Sequence, residues 1–265
     1  MPRRGRRRLI LRPVTGAMDG SVAVVTGASK GIGRAVAEAL ADRGVLVVAV
    51  GRDAGQLAEV AARTGGSALE CDLRQPGSAE RVVAHALEAF GRLDIVVANA
   101  GVGYAGDLAA MSADRLAELV ELNVTAPLQL ARAALPVLRA QRSGRLLFVT
   151  SIAGALGVPG ESAYSSSKAA VEMFADVLRE EVRGDGITVG TLLPGVVRTD
   201  FFERRGRPYD RRFPRPMPPD RVARAAVRVL VSGRPSAVCP RWLALPIRLR
   251  ATAPRLYRRL ERRFG

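Results

Sequence analysis

Residues 22–33 read Val-Ala-Val-Val-Thr-Gly-Ala-Ser-Lys-Gly-Ile-Gly. An uncharged run of five residues leads into a glycine-rich turn, and a helical pattern of small and apolar residues follows. The run 22–26 suits a strand covered on both faces of a sheet. Glycines at this junction let the backbone turn tightly and come close to a pyrophosphate, whose charge would sit at the N-terminus of the next helix. The spacing is G-x-x-x-G-x-G, distinct from the G-x-G-x-x-G fingerprint. Taken alone, the stretch also reads as a strand–helix turn that binds nothing.

On either side of this junction the same alternation continues. Residues 32–41 have helical spacing and stop at Gly44, and 46–50 form a second apolar strand. Helix 56–63, strand 67–71, helix 79–90 and strand 94–98 follow. Ser112 caps a long helix through Asn123 and on to Gln141, with Pro127 demanding a kink near 123–126. Strand 145–150, helix 162–183 and strand 187–193 complete about six strand–helix units. That order implies an α/β fold, a doubly wound parallel sheet of Rossmann type with helices on both faces. The pattern breaks after Pro194: residues 200–219 are rich in Arg, Pro and aromatics, 221–231 are helical and 236–238 a last short strand. The expected organisation is one domain over 18–239, a disordered basic extension over 1–17 with Met18 opening the folded pattern, and a basic amphipathic tail over 240–265.

Composition narrows the function. Of 265 residues, 48% are hydrophobic and 25% charged, an ordinary globular balance. Two cysteines, Cys71 and Cys239, are too few for a disulfide framework or a Cys-rich zinc module. The single histidine, His85, lies in the 79–90 helix outside every motif, so no metal centre or Ser-His-Asp triad is expected. The net charge of +16 belongs to the ends: 1–17 carry six Arg and no acid, 18–197 carry 16 basic against 20 acidic residues, and 198–265 carry 19 against 5. An acidic body without a recognition motif argues against a nucleic-acid partner. Only two of the 41 basic residues are lysine, Lys30 and Lys168. Against that bias, each lysine suggests a position that needs a compact ammonium. No window reaches the roughly 18 apolar residues of a membrane span. The expected location is cytoplasmic, with attachment to the inner membrane face left open by the tail.

Three further motifs carry chemistry. Asn99-Ala100-Gly101 follows the fourth strand, at the strand end where ligands bind in such sheets. Tyr164 and Lys168 stand one helical turn apart, where a cation favours the phenolate and lowers the phenol's pKa. Ser151 closes the fifth strand, thirteen residues before Tyr164, and its hydroxyl can donate to a developing oxyanion. Each also has a plain structural reading: a turn dipeptide, a surface Tyr–Lys pair, a strand-end serine.

Together and in this order, the motifs over residues 18–200 resemble the short-chain dehydrogenase/reductase family. The resemblance implies a nicotinamide cofactor and hydride exchange with an alcohol or carbonyl substrate. It implies that Tyr164 is the acid/base, that Ser151 polarises the substrate oxygen, and that Lys168 binds the nicotinamide ribose and depresses the Tyr164 pKa. Asn123 matches the asparagine of the family's proton relay. The cofactor is expected on Gly27, Ser29, Lys30, Gly31, Ile32 and Gly33, on Asp72 and Leu73 near adenine, on Asn99, Ala100 and Gly101, and on Pro194, Gly195, Val197 and Thr199 of the P-G-x-x-x-T motif. The chain departs from the family at its end, where Cys239-Pro240-Arg241-Trp242-Leu243 replaces the usual V-D-G-G segment. A homo-oligomer stays open as an expectation, with the family's usual C-terminal subunit contacts put in doubt by this departure.

The cofactor is expected to be NADP(H) rather than NAD(H). Gly51 stands where NAD enzymes carry an acid, and Arg52 and Lys30 suit a 2′-phosphate. Asp53 reaches the ribose only if the register shifts. Residues 199–219 are expected to cover a lipophilic substrate with Phe201, Phe202, Tyr209, Phe213 and Met217. The tail presents Leu256, Leu260 and Phe264 at i, i+4 and i+8, with Arg255, Arg258, Arg259, Arg262 and Arg263 around them and Trp242 upstream. It reads equally as a helix for an anionic membrane and as one packed on its own domain. A catalytically idle dinucleotide-binding sensor is the alternative to an enzyme, although it has no need of Ser151, Tyr164 and Lys168 together.

Overall fold

The computed structural model describes residues 18–210 and 213–264, with the side chains of 262–264 outside that description. The expected disorder of 1–17, and the roles given to Arg262, Arg263 and Phe264, therefore lie outside the described residues. Seven parallel strands, β1 (Val22–Thr26), β2 (Leu46–Gly51), β3 (Ser67–Glu70), β4 (Ile95–Ala98), β5 (Gly144–Val149), β6 (Ile187–Pro194) and β7 (Ser236–Cys239), form one sheet in the order β3-β2-β1-β4-β5-β6-β7. The connecting helices are α1 (Gly31–Ala41), α2 (Ala54–Thr64), α3 (Ser78–Phe90), α4 (Ala113–Val120), α5 (Ala126–Gln141), α6 (Ile152–Leu156), α7 (Ser162–Glu181), α8 (Phe201–Arg204), α9 (Pro219–Ser232), α10 (Ala244–Thr252) and α11 (Pro254–Phe264). The expected elements are all present, with ends moved by no more than two residues. The short α6 and α8, and α10 in the tail, were not legible in the pattern.

The central strands β1, β2 and β4 carry no charged residue, because both faces are covered. Ala23, Val25, Val47 and Ala49 pack under α1, α2 and α9, while Val22, Val24, Val48 and Val50 pack under α3, α5 and α7. The chain runs outward from β1 to β2 and β3, then returns to β4 on the other side. The loops after β1 and β4 thus diverge and open a crevice at the carboxyl ends of the strands, the switch point where such sheets bind ligands.

The long helix after Ser112 is interrupted where Pro127 requires. Residues Glu121–Thr125 form a π-helical turn, with the Ala126 N–H donating to the Glu121 carbonyl five residues back. The wider turn makes room for a proline whose ring would clash with an ordinary helix's carbonyl at that level. It also turns Asn123 inward. His85 stays outside the site, its Nε2 2.9 Å from the Ser67 hydroxyl.

Candidate active site

The glycine turn is pressed against the end of β4. Gly27 and Gly31 adopt φ of 64° and 58°, which side chains rarely allow. A Cβ on Gly33 would lie 2.2 Å from the Gly27 carbonyl, and one on Gly27 would lie 2.9 Å from Asn99 Nδ2. The Asn99 side chain donates to the Thr26 carbonyl at 2.9 Å, and the Thr26 hydroxyl accepts from the Asn99 and Ala100 N–H groups at 2.9 and 3.1 Å. Asn99 is thus a clamp on the turn, and its side chain is spent there. No side chain caps the N-terminus of α1. A glycine trough ending at an uncapped helix N-terminus fits a pyrophosphate. That is the fit a nicotinamide dinucleotide requires.

At the outer end of the trough, the Asp53 carboxylate accepts from the Gln56 N–H at 3.0 Å as the cap of α2. One Asp53 oxygen is thus engaged at the start of α2. Arg52 is exposed on the same rim. Lys30 Nζ lies 2.8 Å from Asp200 Oδ2, bridging the glycine turn to the segment after β6. The Asp72 carboxyl is held below the usual carboxylate range by hydrogen bonds from Arg74, with Arg52 adding a smaller pull. At the inner end Thr199 comes close to α1, since a Cβ on Gly31 would lie 3.1 Å from Thr199 Cγ2.

Three elements deliver the four candidate reacting groups. Ser151 follows β5, accepts from the Ala153 N–H at 3.1 Å and is hydrogen-bonded to Tyr164. Tyr164, 7% exposed, and Lys168, 6% exposed, come from the first turns of α7. Asn123 is 1% exposed; it accepts from the Val102 N–H and donates to the Val102 carbonyl, both at 2.9 Å, and meets the Ser167 hydroxyl at 3.1 Å. A Cβ on Gly101 would lie 3.0 Å from Asn123 Oδ1 and 3.3 Å from Lys168 Nζ, so only glycine lets this loop approach both.

The electrostatics correct one expectation. Burial pushes the Tyr164 phenol up to about 12, against the pull of the Ser151 hydrogen bond and of Arg205, while Glu161 pushes it further up. In the protein alone, Lys168 is not among the groups that shift it. Its Nζ donates to the Val149 carbonyl at 3.2 Å and stands 6.0 Å from the ring centroid of Tyr164. Burial brings Lys168 itself down to about 8, with Glu172 holding it up. In the protein alone, desolvation outweighs the attraction that the i, i+4 spacing suggests.

The segment after β6 covers the site in part. The Phe201 ring lies 5.4 Å from that of Tyr164, Phe202 packs on Phe201, and Tyr209 lies 5.2 Å from Phe202. Phe213 and Met217 do not join them, contrary to expectation. Phe213, 70% exposed, stacks on Trp242 at 5.2 Å, and Met217 is buried against Cys239 beside Val197. The backbone pairing of Val197 with Met217 turns the chain away from the cavity before these side chains can reach it.

Two features of the site, a buried ion pair and the tail's place on the cavity wall, come from the fold and not from the motifs. Glu161 and Arg205 form a buried ion pair that ties α8's C-terminal end to the start of α7. Only the fold brings them together, because 44 residues separate them. The tail is the other: Tyr257, Arg258, Leu260 and Glu261 line the same cavity of about 1450 Å³ as the trough and Tyr164, and Arg250 donates to the Ala155 carbonyl. Of α11's apolar stripe, Leu260 faces this cavity and Leu256 is exposed.

Comparisons with known proteins identify the family and fold. The sequence profile of the short chain dehydrogenase family matches residues 21–210. An oxidoreductase of Botryotinia fuckeliana is 41% identical over 114 residues, 43% of this chain and 42% of that protein, so the chain spans less than half of that relative. A short chain dehydrogenase/reductase of Burkholderia phymatum in complex with NAD is 26% identical, with a TM-score of 0.81 over 91% of this chain and 96% of the other. A short-chain dehydrogenase of Sphingobium yanoikuyae in complex with NADPH is 32% identical, with a TM-score of 0.76 over 85% and 92%.

Proposed function

The chain belongs to the short-chain dehydrogenase/reductase family, and from that premise we propose that it is an NADP(H)-dependent oxidoreductase acting on a lipophilic alcohol or carbonyl compound. The observation that carries the proposal is the convergence of Ser151, Tyr164 and Lys168 on the floor of one cavity, at the inner end of a glycine trough. A bound nicotinamide dinucleotide would supply or accept the hydride. Gly27, Gly31 and Gly33 would hold its pyrophosphate, Asp72 and Leu73 would flank the adenine, and Pro194, Gly195, Val197 and Thr199 would line the nicotinamide end. The Lys168 ammonium would take the ribose hydroxyls, while Asn123 fixes the loop through Val102. Ser151 orients the substrate oxygen by hydrogen bonding. Tyr164 Oη gives its proton to that oxygen when the carbonyl is reduced and takes it back when the alcohol is oxidised.

The NADP(H) preference is supported by the rim of the trough. Gly51 places no carboxylate there, Asp53 is engaged as a cap, and Arg52 stands exposed. A 2′-phosphate would compete with Asp200 for Lys30. Phe201, Phe202, Tyr209, Leu156 and Leu260 support an apolar substrate body. The tail supports approach from an anionic membrane: Trp242, Leu245 and Leu256 are exposed, beside Arg241, Arg248, Arg255 and Arg259. Among the described residues, no helix is long and apolar enough to cross a membrane.

The test is to incubate the protein with NADPH and a panel of ketones, aldehydes and 3-oxoacyl thioesters while following cofactor absorbance. Turnover of long-chain members is expected. Tight cofactor binding with no turnover across the panel would instead support an idle dinucleotide-binding protein.

A further inference from the structure

Lys168 has a neighbour that the reaction does not use. Glu172 lies one turn further along α7, on the same face. Its Oε1 is buried and accepts no hydrogen bond among the described residues. The helix α6 closes over it: a Cβ on Gly154 would lie 3.0 Å from Glu172 Oε1, and 2.9 Å from the backbone of Lys168 and Ala169. The Thr150 hydroxyl also meets the carboxyl, and the same hydroxyl donates to the Leu192 carbonyl at 3.2 Å. Burying a carboxylate with half its acceptors unused is costly unless an opposite charge compensates it.

The surroundings offer one such charge. Tyr164, Lys168 and Asp176 are the titratable groups near Glu172 on α7, and Asp176 repels it. The sequence of α6, Ile-Ala-Gly-Ala-Leu, contributes no titratable side chain. Arg250, reaching α6 from α10, is engaged with the Ala155 carbonyl. The π-helical turn contributes Asn123, and β5 carries its Arg145 at the far end, bonded to the Leu230 carbonyl. On the other side, Lys168 spends one N–H on Val149. An ammonium has three donors.

We propose that Glu172 is a positioning residue for Lys168: its buried carboxylate is the counter-ion that keeps the Lys168 ammonium charged where it meets the cofactor ribose and Tyr164. Burial is the largest cause moving each member of the pair toward its neutral form, Glu172 up to about 7 and Lys168 down to about 8 with the partner's opposing pull already included. Their mutual attraction opposes both shifts, so the two groups titrate as a coupled pair. The proposal rests on the oxidoreductase reading only for the use made of the charge. The counter-ion itself is a property of the protein alone.

The chain's two lysines make this directly observable. With lysine labelled at Cε with carbon-13, the protein gives two side-chain signals, and Lys30→Arg identifies which belongs to Lys168. In Glu172→Gln, a close isostere without charge, the Lys168 midpoint should fall by about one pH unit or more, the usual effect of losing an adjacent opposite charge. Glu172→Asp keeps the charge at greater distance and should lie between the two. It also carries the test if the Gln variant does not fold. The alkaline limb of kcat/KM should move toward acid with the NMR midpoint, whereas a packing defect would lower the rate equally at every pH. An unchanged Lys168 midpoint in both variants overturns the proposal. A shifted midpoint in a protein that turns over nothing would leave the counter-ion standing and defeat the oxidoreductase reading instead.

Discussion

Removing a single oxygen, Tyr164→Phe, separates catalysis from everything else in this site. The ring is held by packing, with Phe201 5.4 Å away and only 7% of the residue exposed, so phenylalanine fills the same space. The lost hydrogen bond to Ser151 is worth about 1 kcal/mol net, which the relief of burying a hydroxyl largely offsets. The fold and the glycine trough should therefore be unaffected, and NADPH should bind as before by fluorescence titration. Turnover should fall by about 10²–10⁴-fold, the usual worth of a positioned acid or base. That range corresponds to roughly 3–5 kcal/mol of transition-state stabilisation. The pH dependence follows from the same burial. A phenol pushed up to about 12 stays protonated through neutral pH, so in carbonyl reduction Tyr164 is ready to donate and sets no limb there. Lys168, brought down to about 8, loses its charge as pH rises through that value, and the reduction rate should decline with it. In alcohol oxidation the phenolate is the working form, so the rate should climb with pH until the Lys168 charge is lost. If Tyr164→Phe keeps more than about a tenth of the rate, or loses NADPH binding, Tyr164 is not the proton donor.

Three further outcomes are expected. Titration of both cofactors should give tighter binding of NADPH than NADH, and Arg52→Ala should cost NADPH about tenfold, because a charge-assisted contact at an exposed position is worth the low end of its range; equal affinities in the wild type would contradict the cofactor assignment. Asn123→Ala strands the half-buried Val102 N–H and carbonyl, so urea unfolding should show a loss of about 2 kcal/mol, at about 1 for each group, the low end of the range, and a near-native stability would mean the loop re-pairs. Sedimentation with anionic vesicles at low salt should capture the full chain, and the double change Arg255→Glu with Arg259→Glu should release it, since each basic residue near such a surface contributes about 1 kcal/mol; indifference to the vesicles, or to the charge reversal, rules out the tail as the attachment point.

Much of this protein is readable without its structure, because the relevant physics is local. A strand covered on both faces must be apolar, as Val22–Thr26 is. A backbone at φ of 64° or 58° needs glycine, as at Gly27 and Gly31. The i, i+4 spacing of Tyr164 and Lys168 puts both on one helix face whatever surrounds them. The kink that Pro127 demands was visible in the same way, although its π-helical form was not. Asp53 shows where the local reading reaches its limit: it was a rival ribose ligand until the start of α2 took its carboxylate as a cap.

What only the tertiary structure decided is the environment of those residues. Lys168 was expected to lower the Tyr164 phenol, yet α6, α8 and the loops after β4 and β5 bury both groups, and desolvation pushes the two pKa values the other way. Lys30 was assigned to a phosphate, and its partner here is Asp200, 170 positions along the chain. Phe213 and Met217 belong to the same aromatic segment as Phe201, but one backbone bridge at Val197 turns them away from the cavity. The tail's amphipathic pattern fits a membrane and a domain equally well, and only the fold puts Tyr257 and Leu260 on the cavity wall and Arg250 on a carbonyl 95 residues away while leaving Leu256 exposed. Spacing and conformational freedom are set by a residue's immediate neighbours. Dielectric and choice of partner are set by whatever the fold brings alongside, and in a sheet whose order is not the order of the chain, those are residues from distant parts of the sequence.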